Sequence, residues 1–394
     1  MTTSQQAPTP ATAGHTLVRA RLEWIDVAKG IAITLVVLGH VVWVLSLLEL
    51  PTSDFWRRIL SATGAMRMPG FFVMSGIFAH KFVSGTLERF ARRRVIGFVY
   101  LFIVWMAITA AIEVGLGLWL GATADAVSRS NLVDHILWLE TPMWYLIALP
   151  AFHLLWWATR RMPTWMPLAF TGVGYLTVEL GSGPLPGMLS STGYRGMIHY
   201  ALFFMIGARL SQPLRDIVGR MTPWAAAAIV GLWLATEFFA PTMSLKALVA
   251  VPALFALSQL IARTPLKSLA QRAGRRTLPL YLMNWLAVAI VGGVWLQFDV
   301  ASNGLTQFLV PAVTLPVVIA IITAVWHLTR DVEFLWGPPK PVEDGIIRSL
   351  QRFNNLEPGS SSLMEAGEPL DGTWTRPEAV SQMHAHRSLD TITR

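Results

Sequence analysis

The sequence has no cysteine and few charged residues. With 0 Cys among 394 residues, the chain has no disulfide, thiolate nucleophile, acyl-cysteine intermediate or iron–sulfur ligand set, and prenyl or palmitoyl anchoring is excluded as well. Charged residues make up 14% of the chain, against about 25% in soluble proteins. Hydrophobic residues make up 54%, so water cannot be the main solvent of this chain. The composition therefore indicates a polytopic membrane protein.

Three further absences narrow the range of functions. The 9 His include no His-Glu-x-x-His or similar ligand spacing, so no metal site is predicted. The sequence also contains no glycine-rich nucleotide-binding motif and no internal repeat. The N-terminus has no charged segment followed directly by an apolar one, so we expect no cleaved signal peptide.

The positive charge of the chain is not gathered into one basic domain. A net charge of +8 and a pI near 10.2 raise the question of nucleic-acid binding. Residues 331–394 carry 6 Lys/Arg and 10 Asp/Glu, which leaves a net charge of +12 for residues 1–330. That excess lies in the loops between apolar stretches, so we predict no nucleic-acid partner.

The apolar stretches predict an all-α integral membrane fold. A bilayer core needs about 20 mostly apolar residues per helix. Ten stretches come close to this length: 25–48, 59–82, 95–120, 143–159, 164–180, 197–210, 223–240, 244–262, 278–297 and 306–329. Alternate loops between them carry 15 and 5 Lys/Arg. By the positive-inside rule, about ten transmembrane helices cross the cell (plasma or inner) membrane, with both termini in the cytoplasm.

Composition divides the chain into three regions. Residues 1–18 are rich in Thr, Ala, Gln and Pro, which predicts a disordered cytoplasmic leader. Residues 19–330 form the predicted transmembrane domain. Residues 331–394 are polar and acidic with little apolar content, which predicts a disordered cytoplasmic tail.

The first predicted span has the densest set of ionisable residues: Asp26, Lys29 and His40. Such residues are costly inside a membrane and are therefore the best functional clues. Eleven helical residues turn about 1100°, so Lys29 and His40 share one face and lie about 16 Å apart along the axis. Asp26 can pair with Lys29 from three residues earlier. Alternatively, Asp26 and Lys29 form an interfacial ion pair, and His40 is a core histidine bonded to a backbone carbonyl.

The second predicted span and the loop after it carry further cations. Arg67 lies in the outer half of the span, followed by Pro69 and then the pair Ser75-Gly76. Irregular helix at membrane depth is tolerated mainly where it faces protein or a watery cavity. The cytoplasmic run Glu88–Arg94 is either a topology signal alone or a binding site for a phosphate-rich ligand.

These segments resemble acyltransferase family 3, polytopic bacterial sugar O-acyltransferases, and in particular the fucose 4-O-acetylase-like branch. The similarity spans roughly residues 19–330 and rests on Ile25–Ala32, Val36–Val41, Met68–Gly76, the basic run to Arg94, Met143–Leu146 and Arg276–Leu282. The ten positions between Lys29 and His40 match the family signature. This chain has Arg67 and Asn284 where the branch often has histidine.

The resemblance implies an O-acetyltransferase that moves an acyl group from cytoplasmic acyl-CoA to a sugar hydroxyl of an envelope glycan or glycolipid. Acyl-CoA is then a co-substrate rather than a permanently bound cofactor, and the other partners are membrane lipids and the acceptor. Lys29, Arg92 and Arg94 would hold the CoA phosphates, and Asp26, about 21 Å from His40, would position Lys29. His40 would accept the proton of the attacking hydroxyl.

Other residues are candidates for the remaining roles. Glu113 and Arg67 are candidate partners for His40, and Arg67 could instead stabilise an oxyanion. Glu113 could equally be a lone interfacial carboxylate. Trp144 and Tyr145 are candidates for sugar stacking, although aromatic residues at span ends also form the usual interfacial belt.

Two other functions compete with the enzyme. In a transporter or flippase, Lys29, His40, Arg67 and Glu113 would line a substrate or proton path. This alternative explains the basic inner mouth less well and lacks paired broken helices in two matching halves. A purely structural membrane protein leaves the intramembrane charges without a role.

Overall fold

A computed structural model describes residues 10–79, 95–120, 136–181, 187–239, 246–298 and 300–355. Across these ranges the chain is predominantly α-helical and contains no β-strand. The helices are α1 (Pro10–Leu47), α2 (Asp54–Ile77), α3 (Gly97–Leu120), α4 (Tyr145–Thr159), α5 (Trp165–Leu180), α6 (Thr192–Arg209), α7 (Ser211–Gly219), α8 (Pro223–Phe239), α9 (Ala247–Ile261), α10 (Lys267–Arg275), α11 (Thr277–Trp295), α12 (Gly304–Thr329), α13 (Glu333–Trp336) and α14 (Lys340–Asn355). A 3₁₀ turn at Gly187–Ser190 precedes α6.

The predicted all-helical membrane fold is confirmed at the level of its class. Each of the ten apolar stretches overlaps one helix of the structure. In the described ranges, four helical segments are long and apolar enough to cross a membrane: Glu23–Leu47, Gly97–Gly117, Thr277–Trp295 and Gly304–Thr329. The number rises to five if α7 and α8, bent by 109° at their junction, form one broken span. Ten crossings and cytoplasmic termini stay predictions.

The helices extend beyond the predicted transmembrane region at both ends. Helix α1 begins at Pro10, inside the predicted leader, while α13 and α14 lie in the predicted tail. The overall composition of the tail does not reveal these helices, because short apolar runs alternate there with charged residues and the average is polar. The chain divides into two compact units, residues 1–343 and 344–394. Every candidate site residue described below belongs to the first unit.

Helices α1 and α11 form the interior of the first unit. Helix α1 packs against α2, α9, α10, α11 and α12. The most apolar segment of α11 is 72% buried within the protein, whereas the most apolar segment of α12 is only 28% buried. Helix α12 therefore presents much of its apolar surface to the lipid, and α11 forms the wall behind α1.

Two pairs of glycines bring helix backbones into direct contact. A Cβ atom at Gly76 would overlap the backbone of Phe204, and one at Gly207 would overlap the backbone of Val73. Small residues allow this close approach, which is the common way to pack helices in lipid. The contact holds α2 firmly against α6.

The second close contact attaches a basic helix to the start of α1. A Cβ atom at Gly30 would overlap the backbone oxygen of Ala270, and one at Gly274 would overlap that of Asp26. Helix α10 therefore lies directly against the segment of α1 that carries Asp26 and Lys29.

Candidate functional site

His40 lies beside two tryptophans, one of which is hydrogen-bonded to a carboxylate. It is half-buried, and its ring is 6.2 Å from the rings of Trp43 and Trp285, measured between centroids. Trp285 Nε1 donates a 2.9 Å hydrogen bond to Glu113 Oε1. Glu113, at 6% exposure, is buried. The structure thus brings α1, α3 and α11 together here, with the Trp285 indole joining the candidate pair His40 and Glu113.

Arg67 reaches the same turn of α1 from α2. Its Nη1 donates to the carbonyl of Leu35 at 3.3 Å, and its Nη2 lies 3.5 Å from the carbonyl of Leu60. Gly39 leaves room for the guanidinium, because a Cβ atom there would overlap Arg67 Nη1. A cation therefore lies beside the residue that precedes His40.

We expect Gly39→Ala to lower the acyl transfer that the sequence resemblance implies by about 10- to 100-fold without lowering thermal stability, since small displacements of a group that takes part in a reaction have effects of this size. The added methyl group moves only the flexible end of the Arg67 side chain, and alanine favours helix over glycine. Turnover and the thermal unfolding temperature are measured together. Gly231→Ala is the matched control, because nothing lies within 4 Å of a Cβ atom at that position of α8. Unchanged turnover in Gly39→Ala would mean that the position of the Arg67 guanidinium does not matter for activity.

The start of α1 forms a second polar region. Lys29 Nζ lies 5.0 Å from the centroid of the Phe78 ring, at the end of α2. Asp26 Oδ2 lies 3.8 Å from Arg275 Nε of α10, so the observed ion pair of Asp26 joins α1 to α10. Lys267 of α10 also donates to Glu23 at 2.6 Å. The predicted phosphate ligands Arg92 and Arg94 lie outside the described residues.

The order of contacts along α1 and α2 defines two levels. Helix α2 runs opposite to α1, because Arg67 meets Leu35 while Phe78 meets Lys29. His40 and Arg67 therefore share one level, and Lys29 lies at the other. Since α1 is continuous from Pro10 to Leu47, the separation of about 16 Å between Lys29 and His40 holds in the fold.

A hydroxyl pair lies between these two levels. Ser75 Oγ and Tyr145 OH are 2.9 Å apart. Ser75 follows Arg67 by eight helical residues, which is about 12 Å along the axis. The ring of Tyr281 lies 5.5 Å from that of Tyr145, and its hydroxyl donates to the carbonyl of Pro142. The Tyr145 hydroxyl thus lies nearer to the Lys29 level than Arg67 does, whereas the sequence alone places Tyr145 at the end of a span.

Trp144 belongs to a stacked aromatic group beside Tyr145. Its ring lies 5.9 Å from that of Tyr200, at an angle of 20°. Tyr200 is stacked in turn on Phe72, at 5.6 Å and 21°. Trp144 itself is only 8% exposed, so it supports the wall of this group rather than standing open at the surface.

Sequence reasoning assigns no role to several residues of the site: Trp43, Tyr200, Tyr281 and Trp285, and also Ser75, which it notes only as part of an irregular segment of the second span. One signal for two of them was present, because Tyr281 and Trp285 are four residues apart and therefore share a face of α11. Asn284, between them, is buried and donates to the carbonyls of Leu280 and Tyr281. It therefore serves the helix backbone rather than the face toward His40.

The arrangement contains a group that can transfer a proton and a cation that can stabilise a negative charge. An imidazole and a guanidinium lie at one level, a hydroxyl pair lies below them, and a cation lies at the far end of the same α1 face. In the described part of the chain, no group of three His, Asp or Glu side chains could hold a metal ion. The lysine end, with α10 beside it, has the charge to hold an anionic ligand.

Comparison with known proteins gives one match. Residues 22–329 match the sequence model of acyltransferase family 3, described as an acyltransferase domain. The match covers well over half of the chain, including every described candidate residue. Comparisons with curated proteins and with solved structures found no match.

Proposed function

This chain belongs to acyltransferase family 3 and is a membrane acyltransferase; we propose that it moves an acetyl or similar acyl group from cytoplasmic acyl-CoA to a hydroxyl of a sugar. The acceptor would be part of a cell-envelope glycan or glycolipid. The observation that carries this proposal is the shared α1 face of Lys29 and His40, with Arg67 beside His40. The likeness to the fucose 4-O-acetylase branch supports a sugar as acceptor.

His40 acts as the general base in this proposal. As the acceptor oxygen attacks the thioester carbonyl carbon, His40 takes the hydroxyl proton. When the C–S bond breaks, the same imidazole returns that proton to the CoA sulfur, so free CoA leaves as a thiol. Arg67 stabilises the negative charge that develops on the carbonyl oxygen. Glu113 acts through Trp285, whose indole it holds beside the His40 ring.

The donor binds at the lysine end of the same face. Lys29 binds the CoA phosphates together with the basic run that contains Arg92 and Arg94. Asp26 positions this end by holding α10 through Arg275. The thioester arm then follows α1 past Ser75 and Tyr145 toward His40.

The acceptor approaches from the opposite side, the outer side in the topology that the loop charges predict. Trp144 and Tyr145 belong to the aromatic wall between the two levels, and aromatic rings of this kind pack against the apolar faces of sugars. The protein would act in the plasma or inner membrane, with ten crossings and both termini in the cytoplasm.

The proposal is tested by the transfer of label from radioactive acetyl-CoA to the glycolipid and polysaccharide fractions of membranes that contain the protein. We expect label above that of membranes without the protein, and none with His40→Ala. Release of the CoA thiol provides a second measurement of the same reaction. The protein itself adds no thiol signal, because it has no cysteine. Absence of both label and acetyl-CoA binding would contradict the proposal and favour transport.

A further inference from the structure

A histidine and a glutamate outside this site form a second polar pair. His199 Nε2 of α6 lies 2.9 Å from Glu179 Oε2 of α5. Their side chains are 19% and 25% exposed, so the pair is largely buried and still reachable. Glu179 is the last residue but one of α5, and His199 is the eighth of the 18 residues of α6. The pair therefore lies at the end of α5 and in the half of α6 that is nearer to their connection.

The pair is surrounded by aromatic rings that lead back to the site. Tyr175 is stacked on His199 at 4.8 Å and 3°. The Tyr200 ring also lies 4.8 Å from the His199 ring, and it contacts Trp144 as well. Two ring contacts therefore connect the pair to Trp144, and Trp144 adjoins Tyr145.

We propose that the Glu179–His199 pair forms the subsite that binds a polyhydroxylated acceptor such as a sugar, with Tyr200 and Trp144 as the aromatic wall that supports it. This inference rests on the proposed function and identifies the part of the site that recognises the acceptor. It does not assign the pair a step in the reaction, which stays with His40.

The chemistry of the pair fits hydroxyl groups. The Glu179 carboxylate accepts a hydrogen bond from His199 Nε2–H. The neutral imidazole then has Nδ1 as a hydrogen-bond acceptor. In the described part of the chain, the structure shows no hydrogen bond to His199 Nδ1. A carboxylate accepts several hydrogen bonds at once, so Glu179 can bind a hydroxyl while it holds His199. Two neighbouring hydroxyls of a sugar match this arrangement of two acceptors.

The location also favours the acceptor over the donor. In the topology that the loop charges predict, the connection between α5 and α6 faces the outer side, away from Lys29. Arg195, one turn before His199, is exposed at this end and adds a hydrogen-bond donor to the rim. A glycan or glycolipid of the envelope would reach this end directly.

The chain contains a matched ion pair that serves as a control. Lys246 Nζ lies 2.9 Å from Glu237 Oε2, and their side chains are 17% and 13% exposed. Glu237 lies near the end of α8 and Lys246 directly precedes α9, and the ring contacts described for Trp144 and Tyr200 involve neither of these helices. It thus has the same N–O distance as the Glu179–His199 pair and is somewhat more buried, while lying outside the aromatic group.

The test separates acceptor binding from donor turnover in the full-length protein. CoA release from acetyl-CoA is measured with water as the only acceptor, and again with increasing amounts of methyl hexosides. For the hexoside that stimulates CoA release, the measured quantity is the hexoside concentration that gives the half-maximal rate. We expect Glu179→Gln and His199→Ala each to raise this concentration about tenfold or more, because each variant loses one hydrogen bond to a charged group. The rate with water and the KM for acetyl-CoA should stay within about twofold.

Each outcome decides the assignment. Glu237→Gln should change neither quantity, and Glu179→Asp should restore part of the hexoside affinity, which a purely structural role would not require. If both Glu179→Gln and His199→Ala reach the half-maximal rate at the wild-type hexoside concentration, the proposed subsite is wrong. It is also wrong if no hexoside stimulates the wild-type enzyme. Loss of the water reaction in folded variants overturns it in favour of a role in the reaction itself. If wild type shows no CoA release that depends on His40, the proposed function fails first.

Discussion

Replacing His40 by alanine is expected to lower acyl transfer about 100-fold or more, because general base catalysis contributes at least this much in many enzymes. The variant removes the imidazole that lies beside Trp285 and directly follows Gly39, the residue that Arg67 contacts. The KM for acetyl-CoA should change little, since the site proposed for the CoA phosphates is at the Lys29 end, about 16 Å away. The measurement is CoA release under saturating donor, with protein amount matched on the membranes.

The control for this variant is His327→Ala. His327 is exposed near the end of α12, where its ring contacts Trp326. Its replacement should leave transfer within about twofold of wild type. Normal turnover in His40→Ala would remove His40 from the mechanism, and equal losses in both variants would point to a general effect on folding.

Replacing Arg67 by glutamine is expected to lower kcat about 100- to 1000-fold, as loss of an oxyanion donor does in other enzymes. Glutamine keeps a hydrogen-bond donor but loses the positive charge and the two-pronged contact with the carbonyls of Leu35 and Leu60. The loss should appear in kcat rather than in the KM for acetyl-CoA, because the charge is needed most as the thioester is attacked.

Arg58→Gln is the matched control for this effect. Arg58 lies on the same helix as Arg67 but is exposed near its start. Its replacement should leave kcat unchanged and report any loss of insertion caused by removing a cation from α2. A raised KM with normal kcat in Arg67→Gln would contradict the oxyanion role and make Arg67 a donor-binding residue.

Local signals in the sequence are enough to locate the helices and part of the site. Each of the ten apolar stretches overlaps a helix, because a run of apolar residues of this length has few other stable forms in lipid. The shared face of Lys29 and His40 follows from helical geometry alone. The position of Arg67 near His40 is consistent with its place in the outer half of the following span.

The contacts between distant segments are not predictable in this way. Glu113 and Trp285 are 172 positions apart, and nothing in either local sequence signals their hydrogen bond. The same holds for Ser75 and Tyr145, 70 positions apart. Such pairs depend on how helices are arranged in three dimensions, and close approach through Gly76 and Gly207 is part of that arrangement.

The depth of Tyr145 shows a second limit of sequence reasoning. Length and hydropathy predict where a span begins, but the bilayer boundary need not coincide with the first turn of a helix. Tyr145 opens α4 and yet meets Ser75, well inside the level of Arg67. Likewise, the ion pair between Asp26 and Arg275 depends on α10, a short polar helix that hydropathy does not detect.

The length of α1 between Lys29 and His40 has an energetic consequence for how the membrane is crossed. Each charge placed in the hydrocarbon costs roughly 2.5 to 3.5 kcal/mol or more, so carrying the whole donor across would be expensive. With its phosphates kept at the inner boundary, only the uncharged thioester arm has to enter the helix bundle. In the proposed mechanism transfer is vectorial: the acyl group would leave the cytoplasm while the CoA stays there, and the thioester itself would supply the driving force without an ion gradient or a nucleotide.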